Sequence, residues 1–271
     1  MSKQKYLVHD LAFCFDCNNC FMACKDEYVG NDWQPYTAPQ PRHGHRWVRL
    51  LRTVRGQAPR IDVGYLSLMC QQCENCPIVD AGFATRREDG IVLIDQAKAA
   101  GHKEIVDMCP YETVYWNDEI DAPQKCTMCA HIIDSGVAPG MPRCVHSCPT
   151  EALKYYDVEP EEMAKIVEEE GLEVFHPEYN TNPHVFYKNI YRYTKNFITG
   201  AIVDKDSDDC KEGAEVTITG EGVSEKQTTD YFGEFKFDKL DPGTYTISVA
   251  GADDVTVTIE KSLNIGEIFV D

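Results

Sequence analysis

The stretch Cys14-Phe15-Asp16-Cys17-Asn18-Asn19-Cys20-Phe21-Met22-Ala23-Cys24 holds four of the thirteen cysteines of this 271-residue chain. Their spacing, C-x2-C-x2-C-x3-C, is typical of iron–sulfur ligands. In that pattern the first three cysteines bind one [4Fe–4S] cubane and the fourth reaches across to a second. The run therefore predicts two clusters, each completed by cysteines from elsewhere in the sequence.

A second run supplies the missing ligands. It consists of Cys126-x2-Cys129, then Cys144 after a longer insertion, then x3 to Cys148 with Pro149 behind it. A fourth ligand followed by proline is what the pattern requires. Two ligand sets follow: set A is Cys14, Cys17, Cys20 and Cys148, and set B is Cys126, Cys129, Cys144 and Cys24.

Two fragments between these runs complete each other. Cys70-x2-Cys73-x2-Cys76 has three ligands without a nearby fourth, and Cys109-Pro110 is a fourth ligand without three before it. Set C is therefore Cys70, Cys73, Cys76 and Cys109. The partner cluster that a complete second pair would carry has lost all its ligands. Three clusters use twelve thiolates and leave only Cys210, for which we predict no role.

Disulfides and zinc are the alternatives for these cysteines. Disulfides require an oxidising compartment, and a chain of this size and apolar content does not need them for stability. Zinc is the stronger alternative because paired C-x2-C knuckles also bind it. However, C-x2-C-x2-C-x3-C packs four thiolates too tightly for one tetrahedral ion. Zinc therefore remains an alternative mainly at one site whose cysteine run is incomplete.

Charge and hydropathy argue against nucleic-acid binding and against a membrane-spanning segment. The formal net charge is −19, and no Lys/Arg stripe is present to neutralise phosphates, which argues against nucleic acid as a partner. No apolar run reaches bilayer length, and Met1–Phe13 lacks the features of a secretory signal. We expect a soluble protein that resides in the cytoplasm, with export beside a signal-bearing partner as the alternative.

Composition divides the chain into two predicted domains. Residues 1–195 contain all the clustered cysteines and are expected to form a duplicated ferredoxin-like module of mixed α+β class. Within it we predict short strands at Tyr6–His9 and Ile91–Ile94 and a helix over Pro160–Glu170, which has proline in its first turn and Gly171 as a stop. The aperiodic segment Gln34–Arg60 is interpreted as a surface insertion.

Residues 196–271 show regular alternation of apolar and polar residues. Val216 and Ile218, then Tyr245 and Ile247, recur at period two, with turn residues between the segments. This pattern predicts about seven short antiparallel strands, hence an all-β immunoglobulin-like sandwich. The aromatic stretch before it, 185–193, fits either a subunit interface or a strand that seals the first domain.

Charged residues beside the ligands are candidates for tuning cluster potentials. They are Lys25, Lys125, Arg143, His131 and His146. For each of them, solvation or pairing with a local carboxylate is the simpler interpretation. The sequence contains no nucleophile with a base, no paired carboxylates in an apolar setting and no glycine-rich phosphate loop. We therefore predict no catalytic residue in this chain.

The paired runs make the first 195 residues resemble the four-cluster ferredoxin-type subunits of the dimethyl-sulfoxide-reductase family of molybdopterin oxidoreductases, reduced to three clusters. Further stretches are similar to small iron–sulfur (beta) subunits of pyrogallol–phloroglucinol transhydroxylases, and 231–238 carries a signature of carboxypeptidase-regulatory-like sandwiches. The stretches similar to the transhydroxylase small subunits are 16–22, 87–95, 124–131 and 168–174. Two departures are the short C-x2-C-x2-C spacing of the middle run and Lys25 instead of proline after Cys24.

The resemblance implies a heterodimer. Its large partner would hold molybdenum on two molybdopterin guanine dinucleotides and transfer hydroxyl groups between polyhydroxylated benzenes, while this chain holds three [4Fe–4S] clusters on the twelve cysteines of sets A, B and C. Resorcinol hydroxylase or catechol dehydroxylase type partners are alternatives. A free polyferredoxin that serves several enzymes is a third possibility, which the aromatic segment and the second domain disfavour.

Overall fold

The computed structural model of the protein describes residues 2–271, which form two compact units. Unit 1 contains the described residues up to Leu51 together with Tyr65–Ile190. Unit 2 contains Arg52–Gly64 and Tyr191–Asp271. A segment from the first quarter of the sequence thus belongs to the second unit. The sequence-based boundary between residues 195 and 196 stays a prediction.

Unit 1 is built from short elements. In chain order they are β1 (Gln4–Asp10), α1 (Asn19–Tyr28), β2 (Val48–Gln57), β3 (Arg60–Met69), α2 (Pro77–Asp80), β4 (Ala84–Arg86), β5 (Val92–Ile94), α3 (Gln96–Ala99), α4 (Ile105–Met108), β6 (Val114–Asn117), β7 (Ala122–Lys125), α5 (Ala130–Ser135), α6 (Arg143–His146), β8 (Leu153–Val158), α7 (Pro160–Glu170), a 3₁₀ turn (Pro177–Tyr179) and β9 (Val185–Lys188). The far ends of β2 and β3 belong to unit 2.

The largest sheet of unit 1 has the order β8-β1-β9, with β1 antiparallel to β8 and parallel to β9. Strands β1 and β5 confirm the two predicted strands within one or two residues. Helix α7 has the predicted bounds, and Gly171 ends it with a left-handed φ of 61°. Its Met163 packs with Tyr6 and Val8 of β1, so the apolar face of the helix covers this sheet.

Two sequence interpretations change with the structure. The segment Gln34–Arg60 is not a surface loop throughout, because β2 begins at Val48 and pairs with β3. In the aromatic stretch, Val185 and Tyr187 are fully buried in β9. These two side chains therefore belong to the core of unit 1 and are not exposed for a partner.

Unit 2 contains the remaining elements, which include seven strands within the described residues. They are α8 (Tyr191–Thr194), β10 (Asn196–Asp204), β11 (Glu215–Gly220), β12 (Val223–Thr228), β13 (Glu234–Leu240), β14 (Gly243–Val249), β15 (Val255–Ile259) and β16 (Leu263–Val270). They form a three-stranded sheet, β13-β10-β16, and a four-stranded sheet, β12-β11-β14-β15. Apolar side chains from both sheets form one buried cluster. The prediction of antiparallel strands is wrong at one edge, where β16 runs parallel to β10.

Helix length bears on membrane association. Over residues 2–271, none of the helices is both long and apolar enough to cross a bilayer.

Candidate iron–sulfur centres

The cysteines are free thiols, with no disulfide between any two of the thirteen, and all except Cys210 lie in unit 1. Among residues 2–271, no three histidine, cysteine or carboxylate side chains converge tightly enough to hold one metal ion. A cubane has a different requirement, because its four thiolates bind four separate irons at the corners of a cube.

The four cysteines of set A line one cavity, which they share with His9, Ser67 and Thr150 among others. The first run reaches it through a tight turn, in which Asp16 and Asn18 adopt left-handed φ values of 61° and 62°. The Asn18 side-chain amide donates a hydrogen bond of 2.9 Å to the Asp16 carbonyl and so stabilises this turn. Burial raises the pKa of Cys20 in this set to about 12.

The four cysteines of set B are the most enclosed, with 5 to 7% of each residue exposed. Cys24 lies one helical turn after Cys20 on α1, so the two side chains leave the same helix toward different sets. The Met128 amide donates to the Cys126 sulfur at 3.4 Å and the Arg143 amide to the Cys129 sulfur at 3.5 Å. Burial and the neighbouring thiols of the set raise the pKa of Cys24.

Three of the four cysteines of set C lie at the ends of one-turn helices and of strand β3, and Cys73 lies in the loop between β3 and α2. Cys76 immediately precedes α2, and Cys109 immediately follows α4. The Cys109 sulfur lies 3.4 Å from the Thr113 hydroxyl. Burial raises the pKa of Cys73 to about 12, against the opposing effect of a hydrogen bond with Thr181. The electrostatic influence of Cys70, Cys76 and Cys109 on Cys73 shows that the set lies together.

The three sets follow one another in space. Cys20 of set A is among the neighbours that raise the pKa of the Cys144 thiol in set B. Cys70 of set C likewise raises the pKa of the Cys126 thiol in set B, and the Gln72 side chain beside Cys73 donates to the Cys126 carbonyl. Set B is therefore adjacent to both set A and set C.

The donor chemistry of each set fits a [4Fe–4S] cluster. A cubane requires four thiolates, and each set offers four cysteines. Amide N–H groups point at sulfurs of set B, and such hydrogen bonds stabilise a bound thiolate. Since burial favours the protonated thiols, the sites need iron to hold these sulfurs as thiolates, and cluster assembly would release protons.

An apolar cluster occupies the region where the duplicated pattern calls for a fourth ligand set. Counting C-x2-C-x2-C-x3-C backwards from Cys109 places its first three positions at Ala99, His102 and Ile105. Ala99 and Ile105 are fully buried and pack with Ile78, Val92 and Ile94 among others. Two of these three positions are thus occupied by apolar side chains that contribute to a hydrophobic cluster.

Several of the charged residues beside ligand cysteines contact nearby carboxylate or carbonyl oxygens, as the simpler interpretation of the sequence suggested. His131 Nε2 lies 2.9 Å from a Glu27 carboxylate oxygen, and Arg143 contacts the same carboxylate at 3.1 Å. Lys25 donates to the Pro41 carbonyl at 2.9 Å. Lys125 differs, because it is 3% exposed and its hydrogen-bond partners are the carbonyl oxygens of Val92 and Cys126 and the Cys70 sulfur.

Sequence reasoning did not find the polar groups that contact the ligand runs from a distance. Gln72, fully buried inside the middle run, donates to the Cys126 carbonyl at 3.1 Å. Tyr111 shares a hydrogen bond of 2.8 Å with Thr181, next to Cys73. No local spacing marks these residues, and only the position of Gln72 between two ligand cysteines hinted at a role.

Comparisons with known proteins support the iron–sulfur class of this chain. Residues 61–158 match the 4Fe-4S dicluster domain family, and residues 198–266 match the carboxypeptidase regulatory-like domain family. The first match spans sets B and C except for Cys24. The fold and the thiol sets therefore define an iron–sulfur protein of mixed helix and sheet that carries a regulatory-like β domain.

Full-length similarity identifies the family more closely. The chain is 48% identical over 98% of its length, and 99% of the relative's, to the pyrogallol hydroxytransferase small subunit of Pelobacter acidigallici. It is 28% identical to one of the subunits of tetrathionate reductase from Salmonella typhimurium, over 67% of this chain and 70% of that one. It is 32% identical to the thiosulfate reductase electron transfer subunit of Salmonella typhi, over 62% and 83%. The chain belongs to the pyrogallol hydroxytransferase small-subunit family, among the iron–sulfur subunits of molybdopterin oxidoreductases.

Proposed function

We propose that this chain is a non-catalytic electron-transfer subunit that holds three [4Fe–4S] clusters, one on each of sets A, B and C. The observation that carries the proposal is the gathering of twelve thiols from five separate sequence segments into three consecutive groups of four. A cubane takes or gives one electron at a time. The protein holds set B next to both other sets, excludes water from set B and supplies hydrogen bonds to its sulfurs.

The exposed apolar residues near set A support a large partner on that side. Phe13 is 62% exposed, Phe15 56% and Met22 59%. Phe15 also lines the set A cavity, and Phe13 and Met22 lie within two positions of the set A ligands Cys14 and Cys20 in the sequence. Exposed apolar clusters of this kind mark protein interfaces. We infer that the partner covers Phe13, Phe15 and Met22, which would place set A nearest to the partner's cofactor.

Family membership supports a proposal for the partner and the substrate. We propose a large subunit with molybdenum on two molybdopterin guanine dinucleotides, acting on polyhydroxylated aromatics by pyrogallol–phloroglucinol type hydroxyl transfer. That subunit would contain the catalytic site. A cytoplasmic location, an immunoglobulin-like topology for the β domain and a domain boundary after residue 195 remain parts of the same proposal.

Anaerobic copurification with metal analysis tests this function. We expect about twelve irons per chain, four for each cubane, and molybdenum only in a copurifying larger chain. A colourless, iron-free protein would contradict the proposal. A monomer that reduces several unrelated enzymes would instead support a free polyferredoxin.

The interface has its own test. Replacing Phe13 and Met22 with serine should weaken copurification of the large chain without changing the iron content. The matched control is Tyr231→Ser with Phe232→Ser, which removes two exposed aromatic residues from unit 2. Equal loss of the partner in both double variants would contradict a docking role for the patch beside set A.

A further inference from the structure

A buried polar junction connects the middle cysteine run with the last one. It consists of Gln72, Val92, Lys125 and Cys126, and all four residues are at most 7% exposed. The Gln72 side chain accepts a hydrogen bond of 2.8 Å from the Val92 amide and donates one of 3.1 Å to the Cys126 carbonyl. The Lys125 ammonium donates to the carbonyls of Val92 and Cys126.

The junction lies between two ligand sets. Gln72 is flanked by Cys70 and Cys73 of set C, and Lys125 precedes Cys126 of set B. The groups whose charge acts on Lys125 are Cys70, Cys76 and Cys126, which come from both sets. One ammonium group is therefore adjacent to two of the three proposed clusters.

The buried ammonium group of Lys125 has no carboxylate as its counter-charge within residues 2–271. A buried ammonium is costly unless an opposite charge lies close to it. Throughout residues 2–271, no carboxylate forms an ion pair with Lys125; its hydrogen-bond partners are the carbonyls of Val92 and Cys126 and the Cys70 sulfur. The negative groups near it are the cysteine sulfurs of sets B and C, so clusters at these sets would be its counter-charges.

We propose that Lys125 raises the reduction potentials of the clusters at sets B and C together, as a positioning residue whose fixed positive charge favours an extra electron on either one. The proposal rests on the three-cluster function proposed above. A charge held between two centres stabilises the reduced form of both, because each gains one negative charge on reduction. Set A contains none of the cysteines that act most strongly on Lys125, so it receives little of this effect.

The test is a potentiometric titration of the anaerobic complex, followed by electron paramagnetic resonance, with Lys125→Gln. Glutamine keeps a donor for the Val92 carbonyl and removes the charge. We expect two of three reduction waves to move to lower potential, with the ratio of reduced to oxidised cluster at a given potential falling about tenfold. Tenfold corresponds to about 59 mV for a one-electron couple. The third wave should stay in place.

Gln72→Met is the matched control, because it removes the other polar side chain of the junction without changing its charge. In this variant the ratio of reduced to oxidised cluster at a given potential should change by no more than about threefold for any of the three waves. Lys125→Met repeats the removal of charge with different packing, in case the first variant assembles poorly.

Distinct outcomes separate the two proposals. Three unshifted waves in both Lys125 variants would overturn the role of Lys125 and leave the clusters established. Equal shifts in Gln72→Met would also overturn it, because packing would then explain the effect. Absence of iron from the unmodified complex would overturn the proposed function itself.

Discussion

The two units of the molecule achieve order in different ways. In unit 1, α2, α3, α4 and α6 have four residues each, and several of the short helices begin or end at a ligand cysteine. Helices of one turn are not stable alone, so they depend on what holds their ends. In unit 2, thirteen buried apolar side chains from both sheets form one cluster. The comparison leads us to expect that metal–thiolate bonds order the cysteine runs of unit 1, which also has apolar clusters of its own, while hydrophobic burial orders unit 2.

Removal of iron is the strongest way to separate the units. Anaerobic chelation should leave sets A, B and C as buried thiols without the bonds that join distant segments. We expect amide protection to collapse around the cysteine runs of unit 1 and to persist in β11, β13 and β14 of unit 2. Hydrogen exchange with mass spectrometry on the whole chain would measure this. Retained protection around the runs would show that the thiol-lined module is stable without clusters.

Loss of one ligand should affect one set. Cys109→Ser removes the set C ligand that follows α4, so we expect the iron content to fall by up to about four of twelve and one spectroscopic signal to disappear. Cys210→Ser is the control, because this cysteine is exposed in unit 2. An unchanged spectrum in Cys109→Ser would mean that Cys70, Cys73 and Cys76 have a different fourth ligand.

A core substitution in unit 2 should have the converse effect. Phe237 is fully buried in the apolar cluster, and Phe237→Ala should destabilise unit 2 by about 3–5 kcal/mol without loss of iron. Urea-dependent hydrogen exchange of the unit 2 strands, together with iron analysis, measures both quantities. Phe269→Ala at a half-exposed site is the control. Parallel loss of iron in Phe237→Ala would show that the units are not independent in this respect.

The sequence predicted those features that depend on residues close together along the chain. Cysteine spacing gave the iron–sulfur class, which the comparisons confirm, and period-two alternation gave the strands of unit 2. The sequence-based interpretation missed strand β2, because its several arginines interrupt the apolar pattern. Arg55 is 4% exposed and donates to Asp238, which lies 183 positions further along the chain. A buried charge satisfied by so distant a partner leaves no signal in a local pattern. Neither the parallel pairing of β16 nor the burial of Lys125 has a local signal either.

The same distant ion pairs provide the smallest test of the comparison. Asp62 accepts hydrogen bonds from Arg192 and Arg55, all within unit 2. Burial alone would raise the pKa of Asp62, but these hydrogen bonds and the nearby Lys236 lower it well below its ordinary value of 3.8. Ionised Asp62 therefore stabilises the folded unit above about pH 4, and this stabilisation is lost as the pH falls toward the lowered pKa.

Asp62→Asn should accordingly destabilise unit 2 by about 2 kcal/mol at neutral pH. The difference from the unmodified protein should stay constant from pH 8 to pH 5 and shrink below about pH 4, where the native carboxylate begins to lose its advantage. Urea-dependent exchange of unit 2 amides, corrected for intrinsic rates, measures the difference, with the exposed Asp253→Asn as control. A difference that grows on acidification would contradict the assigned sign. Because Asp62 contacts groups of unit 2, the iron content at neutral pH should not change, and an iron deficit would mean that polar contacts as well as metal bonds order the cysteine runs.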